Sequence, residues 1–314
     1  MASTLTGNSA QGKAALPEPP PPPPHLAEYV GDRNRPDPVS SYLGAGRALR
    51  DEILSLLPAD WDWEGRKVLD FGCGSGRVLR NFLQEAQVAE IFGCDIHAES
   101  INWGKANLCP PLHMFQSDER PPLPFRDEQL DLIWTMSVFT HLTDTWSAWL
   151  LELHRILKPK AILIASFMGE GMSEILANEP WDEDRIGMNV LGPGMGWEAG
   201  GPMVLHSPWW IEAHWGRAFD ILSVRPTGLI GTGQGVVVMR KRDVGLTPGD
   251  LEAIEPKEPR ELTALAHSVR QLQRESIQLN RARDYYAELA RKRDYATRAK
   301  NVIRRTLGRL KQRP

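Results

Sequence analysis

Cysteine is scarce in this chain. Cys73, Cys94 and Cys109 are the only three in 314 residues, an odd number without metal-ligand spacing. A disulfide framework and a cysteine-based zinc site are thereby excluded, and a reducing, cytoplasmic setting is the expectation. Long apolar runs are also missing. AILIASFM (Ala161 to Met168) is strand-sized and far too short to cross a bilayer. The first residues do not pair a basic stretch with an apolar one, so they do not read as a signal peptide. Asp127, Asp131 and Asp144 lack the spacing of a cation site, so no metal is expected. Finally, VLDFGCGSGR (Val68 to Arg77) lacks the third glycine of the dinucleotide fingerprint G-x-G-x-x-G, because Arg77 stands in its place.

What is present is an ordinary globular composition, 41 % apolar and 25 % charged, with an uneven distribution of charge. The net charge of -3 hides a tail, Arg260 to Pro314, with 15 Lys/Arg against 5 Asp/Glu; the tail is therefore +10 and the remainder -13. Residues 1–30, rich in Pro and containing PPPPPP (Pro19 to Pro24), carry too little apolar surface to fold and are expected to be disordered, with a short polyproline segment. Ser41 to Leu57 places Leu49, Ile53 and Leu56 at helical spacing.

From Arg66 to Arg242 short apolar runs alternate with amphipathic stretches. KVLDFG, AEIFGCD, LHMFQ, LDLIWTMS and AILIASF read as strands; GRVLRNFLQEA, ESINWGKANL and TWSAWLLELHRIL read as helices. This tempo predicts a doubly wound α/β domain with a mainly parallel sheet. Too little chain separates FDILSVRP from GVVVMRK for a helical crossover, so these predict a terminal antiparallel hairpin. Residues 31–242 thus form the domain, 243–259 a polar linker and 260–314 a basic helical tail. In the tail Leu262, Leu265, Val269, Leu272 and Leu279 recur near heptad spacing, interrupted by Ser276.

Three acidic residues say what the glycine loop receives. Asp70 ends the first strand directly before the loop, where a negative charge repels a pyrophosphate and suits a cationic group. Asp95 ends the second strand, 19 residues after Gly76, a position from which a carboxylate accepts hydrogen bonds from ribose hydroxyls. Asp118 follows the third strand, where it can accept from an exocyclic adenine amine. Together they describe a ligand with a positive end, a ribose and an adenine.

VLDFGCGSG, GCDI, QSD and DLIWTMS, in that order on those elements, resemble the motifs of the class I S-adenosylmethionine-dependent methyltransferases. The resemblance covers Ser41 to Arg242 and implies the family's seven-stranded Rossmann-like sheet and S-adenosyl-L-methionine as cofactor. It puts Asp70 at the methionine amino group, with Gly72, Cys73, Gly74 and Gly76 beneath the cofactor. Asp95 would bind the ribose, Ile96 pack on the adenine, Asp118 read its amine, and the loop from Ser137 face the methyl donor. LHRILKPKAILIASF resembles the family's fifth strand, with Lys160-Ala161 where two glycines are usual.

His141, just past the fourth strand, is the candidate catalytic base. Residues 168–217 read as an acceptor-side insertion or lid, with Trp181, Trp197, Trp209, Trp210 and Trp215 available to stack on a flat acceptor and SPWWIEAHW as a serine-capped helix. No N-P-P-Y sequence follows the fourth strand, which disfavours nucleic-acid bases as acceptors. The expected activity is methyl transfer to an oxygen or nitrogen of a small-molecule or glycan acceptor. The alternatives are a catalytically idle cofactor-binding scaffold acting through its tail and, from the glycine loop alone, an NAD-dependent oxidoreductase. For the tail, the candidate partners are a second subunit and an anionic membrane surface, with peripheral membrane docking as the consequence of the latter.

Overall fold

The computed structural model describes residues 17–29, 36–177, 180–196, 200–229 and 232–310. In chain order the elements are helices α1 (Pro24–Tyr29) and α2 (Pro38–Leu56), strands β1 (Lys67–Phe71) and β2 (Glu90–Asp95), α3 (Ala98–Leu108), β3 (His113–Gln116) and β4 (Leu130–Thr135). Then come α4 (Trp146–Ile156), β5 (Leu157–Phe167), α5 (Glu170–Ala177), β6 (Met188–Leu191), β7 (Met203–His206) and α6 (Pro208–His214). The chain closes with β8 (Phe219–Arg225), β9 (Gly235–Lys241), α7 (Pro248–Glu252) and α8 (Glu261–Leu310).

Among the described residues a seven-stranded sheet runs β3-β2-β1-β4-β5-β9-β8, with a separate β6-β7 pair. Strands β3, β2, β1, β4 and β5 pair in parallel; β9 runs antiparallel to both β5 and β8, so the expected hairpin closes the sheet. Burial on both faces explains why the central strands are continuously apolar. Val68, Leu132, Trp134 and Ile162 pack with Leu49 and Ile53 of α2, whereas Leu69, Ile133 and Leu163 pack with Leu150 and Leu153 of α4. Strand order reverses between β2 and β4, on either side of β1, and such a switch point opens a crevice at the carboxyl ends of the strands.

The structure differs from the sequence expectations in three places. GRVLRNFLQEA holds two short 3-10 turns, Leu79–Phe82 and Glu85–Gln87, and no α-helix. Asn81 Nδ2 donates to the carbonyls of Arg77 and Val78 and so competes with the α-helical ladder. The N-terminal stretch is not wholly disordered. Residues 1–16 lie outside the described residues, but Arg80 Nη2 donates to the carbonyls of Pro19 and Pro20, and α1 buries Leu26 and Ala27. The stretch 243–259 contains α7, closed by a capping box between Thr247 and Asp250 and anchored by the buried Leu251. No helix among the described residues is long and apolar enough to cross a membrane.

Candidate functional site

The switch point collects the carboxyl ends of β1, β2 and β4. Gly72, Gly74 and Gly76 all take left-handed φ angles, 81°, 54° and 84°. At Gly72 a Cβ would also lie 2.1 Å from Val138 Cγ2, so glycine is required there for space as well as conformation. Backbone hydrogen bonds bind the loop to β2: the amides of Gly72 and Cys73 both donate to Cys94 O, at 2.8 and 2.9 Å.

Asp95 completes this tie. Its Oδ2 accepts from the Gly74 amide at 2.8 Å and its Oδ1 from the His97 amide at 2.9 Å. Burial raises its pKa, and the amides of His97 and Gly74 oppose that rise. Each carboxylate oxygen keeps a second lone pair, so two acceptor positions remain for hydroxyl donors. Ile96 follows, with its carbonyl accepting from Gln116 Nε2. Asp118 is exposed just beyond β3, and Cys73 is buried beneath the loop.

Asp70 is the electrostatic centre of the crevice. It is buried, and Oδ2 has no hydrogen-bond partner. Burial pushes its pKa up to about 7, against the pull of the Trp134 indole and the Arg77 charge. The indole N–H lies near the carboxyl but outside hydrogen-bond geometry, so it does not satisfy Oδ2. A buried carboxylate with an unmet lone pair is costly until a cation or donor meets it. The ammonium end of S-adenosylmethionine is such a group, and the residues present fit that cofactor.

Helix α2 braces the loop from below. Tyr42 Oη donates to Ser75 O at 3.0 Å, Ser75 Oγ donates to Tyr42 Oη at 3.1 Å, and burial pushes the Tyr42 pKa up to about 12. One turn on, a Cβ at Gly46 would lie 2.1 Å from Arg77 O, so the helix approaches the loop through a glycine notch. On the far side Tyr29 of α1 stacks on His97, ring centroids 4.1 Å apart, which closes the N-terminal segment over the Asp95 corner.

At the end of β4, Ser137 takes a left-handed φ of 62° and is held by a three-residue ring. Its amide donates to Ser166 Oγ at 2.7 Å, Ser166 Oγ donates to Gln234 Oε1 at 2.7 Å, and Gln234 Nε2 donates to Ser137 Oγ at 3.0 Å. Gln234, buried in the β8–β9 connection, carried no signal in the sequence: it is one polar residue in a turn-rich TGQG. His141 lies four residues on. Its Nδ1 hydrogen-bonds Pro202 O at 2.8 Å, and because a carbonyl only accepts, the proton sits on Nδ1 and the lone pair on Nε2. Burial lowers its pKa, opposed by that hydrogen bond.

The insertion is stitched to this edge: Val204 N donates to Thr140 O at 2.8 Å and His206 N to Met168 O at 2.7 Å. Its tryptophans do not form a stacking platform. Trp209, Trp210 and Trp215 are buried in the core with Phe139 and Trp146, Trp181 packs in a small cluster with Met168 and Leu205, and Trp197 lies outside the described residues. The reason is amphipathicity, since α6 has its N-cap at Ser207 and turns its indoles onto the sheet. His206 and His214 are likewise internal. Burial drives the His206 pKa down to about 3, and His214 hydrogen-bonds Leu251 O and Glu261. Asp131 is a structural carboxylate, paired with Arg66 and Lys158.

Residues 69–165 match the family model described as "Methyltransferase domain". A fatty-acid O-methyltransferase of Mycolicibacterium smegmatis is 29 % identical over 109 residues, 34 % of this chain and 39 % of the relative. An uncharacterised methyltransferase of Schizosaccharomyces pombe is 28 % identical over 135 residues, 38 % of this chain and 47 % of its own. The chain thus spans less than half the length of these curated relatives. Among solved structures, magnesium protoporphyrin IX methyltransferase from Synechocystis, with bound SAH, aligns at 18 % identity and a TM-score of 0.47, over 68 % of this chain and 92 % of that one.

Proposed function

We propose that this chain, a member of the class I S-adenosylmethionine-dependent methyltransferases through its domain at residues 69–165, transfers a methyl group from S-adenosylmethionine to an oxygen or nitrogen of a small-molecule or glycan acceptor. The observation that carries the reading is the buried Asp70 Oδ2 without a partner, beside a glycine loop and Asp95. A pyrophosphate would add negative charge next to a buried carboxylate; an ammonium neutralises it. When bound, S-adenosylmethionine supplies a methyl on a positively charged sulfur that leaves as a neutral thioether.

The chain's own groups divide the remaining work. Asp70 takes the ammonium, the two remaining acceptor positions of Asp95 take ribose hydroxyls, and Ile96 and Asp118 border the adenine. Because the leaving group is already activated, catalysis rests on aligning the acceptor and excluding water. The loop from Ser137 to His141 does this, with its backbone fixed by Ser166 and Gln234. His141, neutral at pH 7 with its lone pair on Nε2, is suited to take a proton from a hydroxyl, which favours oxygen as the accepting atom. An O-methyltransferase among the curated relatives supports that half of the reading. Core burial of Trp209, Trp210 and Trp215 removes sugar stacking on them as support for a glycan.

His141→Ala is expected to lower turnover about 100-fold and leave S-adenosylmethionine affinity within about twofold, the range for loss of a general base. Because burial lowers the His141 pKa, turnover at saturating cofactor is expected to fall on the acid side as the imidazole takes a proton and to level off at higher pH. Gln234 acts as a positioning residue. Gln234→Leu is expected to cut kcat about tenfold with less than a threefold change in cofactor affinity, because it unpairs the Ser137–Ser166 ring without touching Asp70 or Asp95. A pure stability role would leave kcat at its normal value in the folded fraction. The reading as a whole is tested by release of S-adenosylhomocysteine with hydroxyl, carboxyl and amine acceptors. No release with any acceptor class, despite cofactor binding, overturns it.

A further inference from the structure

The longest element, α8, has two faces with different fates. Ala264 is buried on the body, Glu261 bonds His214, Ser268 Oγ donates to Asn189 Oδ1 at 2.9 Å, and Gln271 accepts from Asn189 Nδ2 at 3.0 Å. One position along, about 100° around the helix, runs a second stripe: Leu262, Leu265, Val269, Leu272, Leu279 and Tyr286, 39 to 67 % exposed. The steps between them alternate three and four, with Ser276 and Arg283 at the two intervening seam positions. Every side chain from Ser276 to Lys292 is exposed, with Ile277 still bordering the cleft between α8 and residues 180–186. In proteins most of a helix's stability comes from packing one face, and the projecting part of α8 has yet to find that cover.

We propose that the stripe binds a second copy of this chain, with the two α8 helices pairing antiparallel about a point near Arg274. A stripe that repeats every seven residues is self-complementary, as a two-fold interface requires. The uncovered parts of the six side chains come to roughly 600 Å² per chain, below but near the ~800 Å² per partner of a standard interface and at the upper end of what a monomer leaves in its largest patch. Pairing about Arg274 sets Val269 against Leu279 and Leu262 against Tyr286 of the second copy.

Charge decides the direction. Arg291 to Pro314 carries ten Lys/Arg and one Asp. The root of α8 is net acidic, with Asp250, Glu252, Glu255 and Glu258 in sequence and the Asp182–Asp184 loop tied to it through the Arg260–Glu183 pair at 3.7 Å. Antiparallel pairing lays each basic end along the acidic root of the other copy; parallel pairing would set two strongly basic ends side by side. Ser276 and Arg283 interrupt the seam, so part of the affinity comes from this charge match.

Sedimentation of the full chain at tens of micromolar is expected to give twice the 35.2 kDa monomer mass, with the dimer weakened at least tenfold between 0.1 and 1 M salt. The exposed-site variant Leu265→Glu/Leu272→Glu is expected to be monomeric, with unchanged cofactor binding and circular dichroism, which separates loss of pairing from misfolding. Spin labels at Arg291→Cys, in a Cys109→Ser background with Cys73 and Cys94 buried, should lie about 50 Å apart. A monomeric wild-type chain, a dimer that survives in the double variant, or a label distance of about 15 Å as side-by-side parallel helices require, overturns the proposal. So does cosedimentation with anionic vesicles by a chain that does not self-associate, which assigns the stripe to lipid.

Discussion

Replacing Asp70 with Asn is expected to weaken S-adenosylmethionine binding about a hundredfold and, in the same protein, to stabilise the ligand-free chain at pH 8. Both effects follow from one buried carboxyl. The bound ammonium loses a charge-assisted hydrogen bond, typically about 2–3 kcal/mol. The ligand-free chain loses a liability. Asp70 titrates near pH 7 when folded and near 3.8 when not, so between those values the folded state holds the extra proton. Stability of the ligand-free protein therefore falls as pH rises from about 4 to about 7, by about 4 kcal/mol in total, and is level above that. Asn has no proton to lose, so its variant lacks this decline and is the more stable of the two at pH 8. Cofactor affinity has the opposite sign, because the ammonium needs the ionised carboxyl. For a group titrating near 7, Kd rises about fiftyfold between pH 7 and pH 5 in the wild type and stays nearly constant in Asp70→Asn. Denaturant melts at pH 5 and 8 and calorimetric titrations at pH 7 and 5 read out the two halves separately. A wild-type affinity that does not change with pH would remove Asp70 from the ammonium site.

The second large effect is at Gly46, on a helix that touches no ligand. An Ala Cβ there would sit 2.1 Å from Arg77 O, a backbone atom that cannot swing aside. Either α2 backs away, breaking the Tyr42–Ser75 pair, or the glycine loop moves into the crevice. Overpacking of this kind costs about 1–3 kcal/mol, with the ~1 kcal/mol helix preference of Ala over Gly as a partial offset. A net loss of about 1 kcal/mol lowers Tm by about 2–4 °C in a domain of this size. Cofactor affinity should fall at least tenfold, because the loop amides and Asp70 shift together. Gly44, two residues earlier on the same helix, has nothing within 4 Å of its would-be Cβ. Gly44→Ala is the matched control, expected to be neutral or slightly stabilising. Equal stability and equal cofactor affinity of the Gly46 and Gly44 variants would show that α2 does not brace the loop.

The contrast between these two positions marks what the sequence makes legible. Asp70, Asp95 and the three loop glycines stand in a contiguous strand–loop pattern, so spacing alone brought them to the switch point. Strands β1, β4 and β5, buried on both faces, announced themselves as apolar runs, and the β8–β9 hairpin followed from the short chain between its strands. Gly46, Tyr42 and Gln234 act across 31 to 97 residues of chain, through contacts that no local pattern encodes. The GRVLRNFLQEA stretch has helical spacing, yet Asn81 captures the carbonyls a helix would need. The tryptophans of the insertion show composition misleading in the other direction: an aromatic-rich segment over an active edge looked like a recognition surface, and α6 turned it inward as core.

In the proposed reaction His141 and the Ser137 ring would give the acceptor side a distinct character from the cofactor side. Asp70 and Asp95 are buried carboxyl groups whose ionised forms a bound ligand would stabilise. The acceptor edge is neutral, with a tautomer fixed by Pro202 O and a left-handed kink held by Gln234. In the proposed reaction such an edge would align a nucleophile without adding charge near the departing sulfur, which becomes less charged as the methyl leaves.

The most direct measurement is a calorimetric titration of the full chain at pH 7 with S-adenosylmethionine, S-adenosylhomocysteine and NAD in parallel. A site built around an unmet buried carboxylate binds the two adenosyl amino-acid ligands, through their ammonium, and gives no heat with NAD. Binding of NAD without a response to S-adenosylmethionine would contradict the account, because a pyrophosphate would then occupy the crevice beside Asp70.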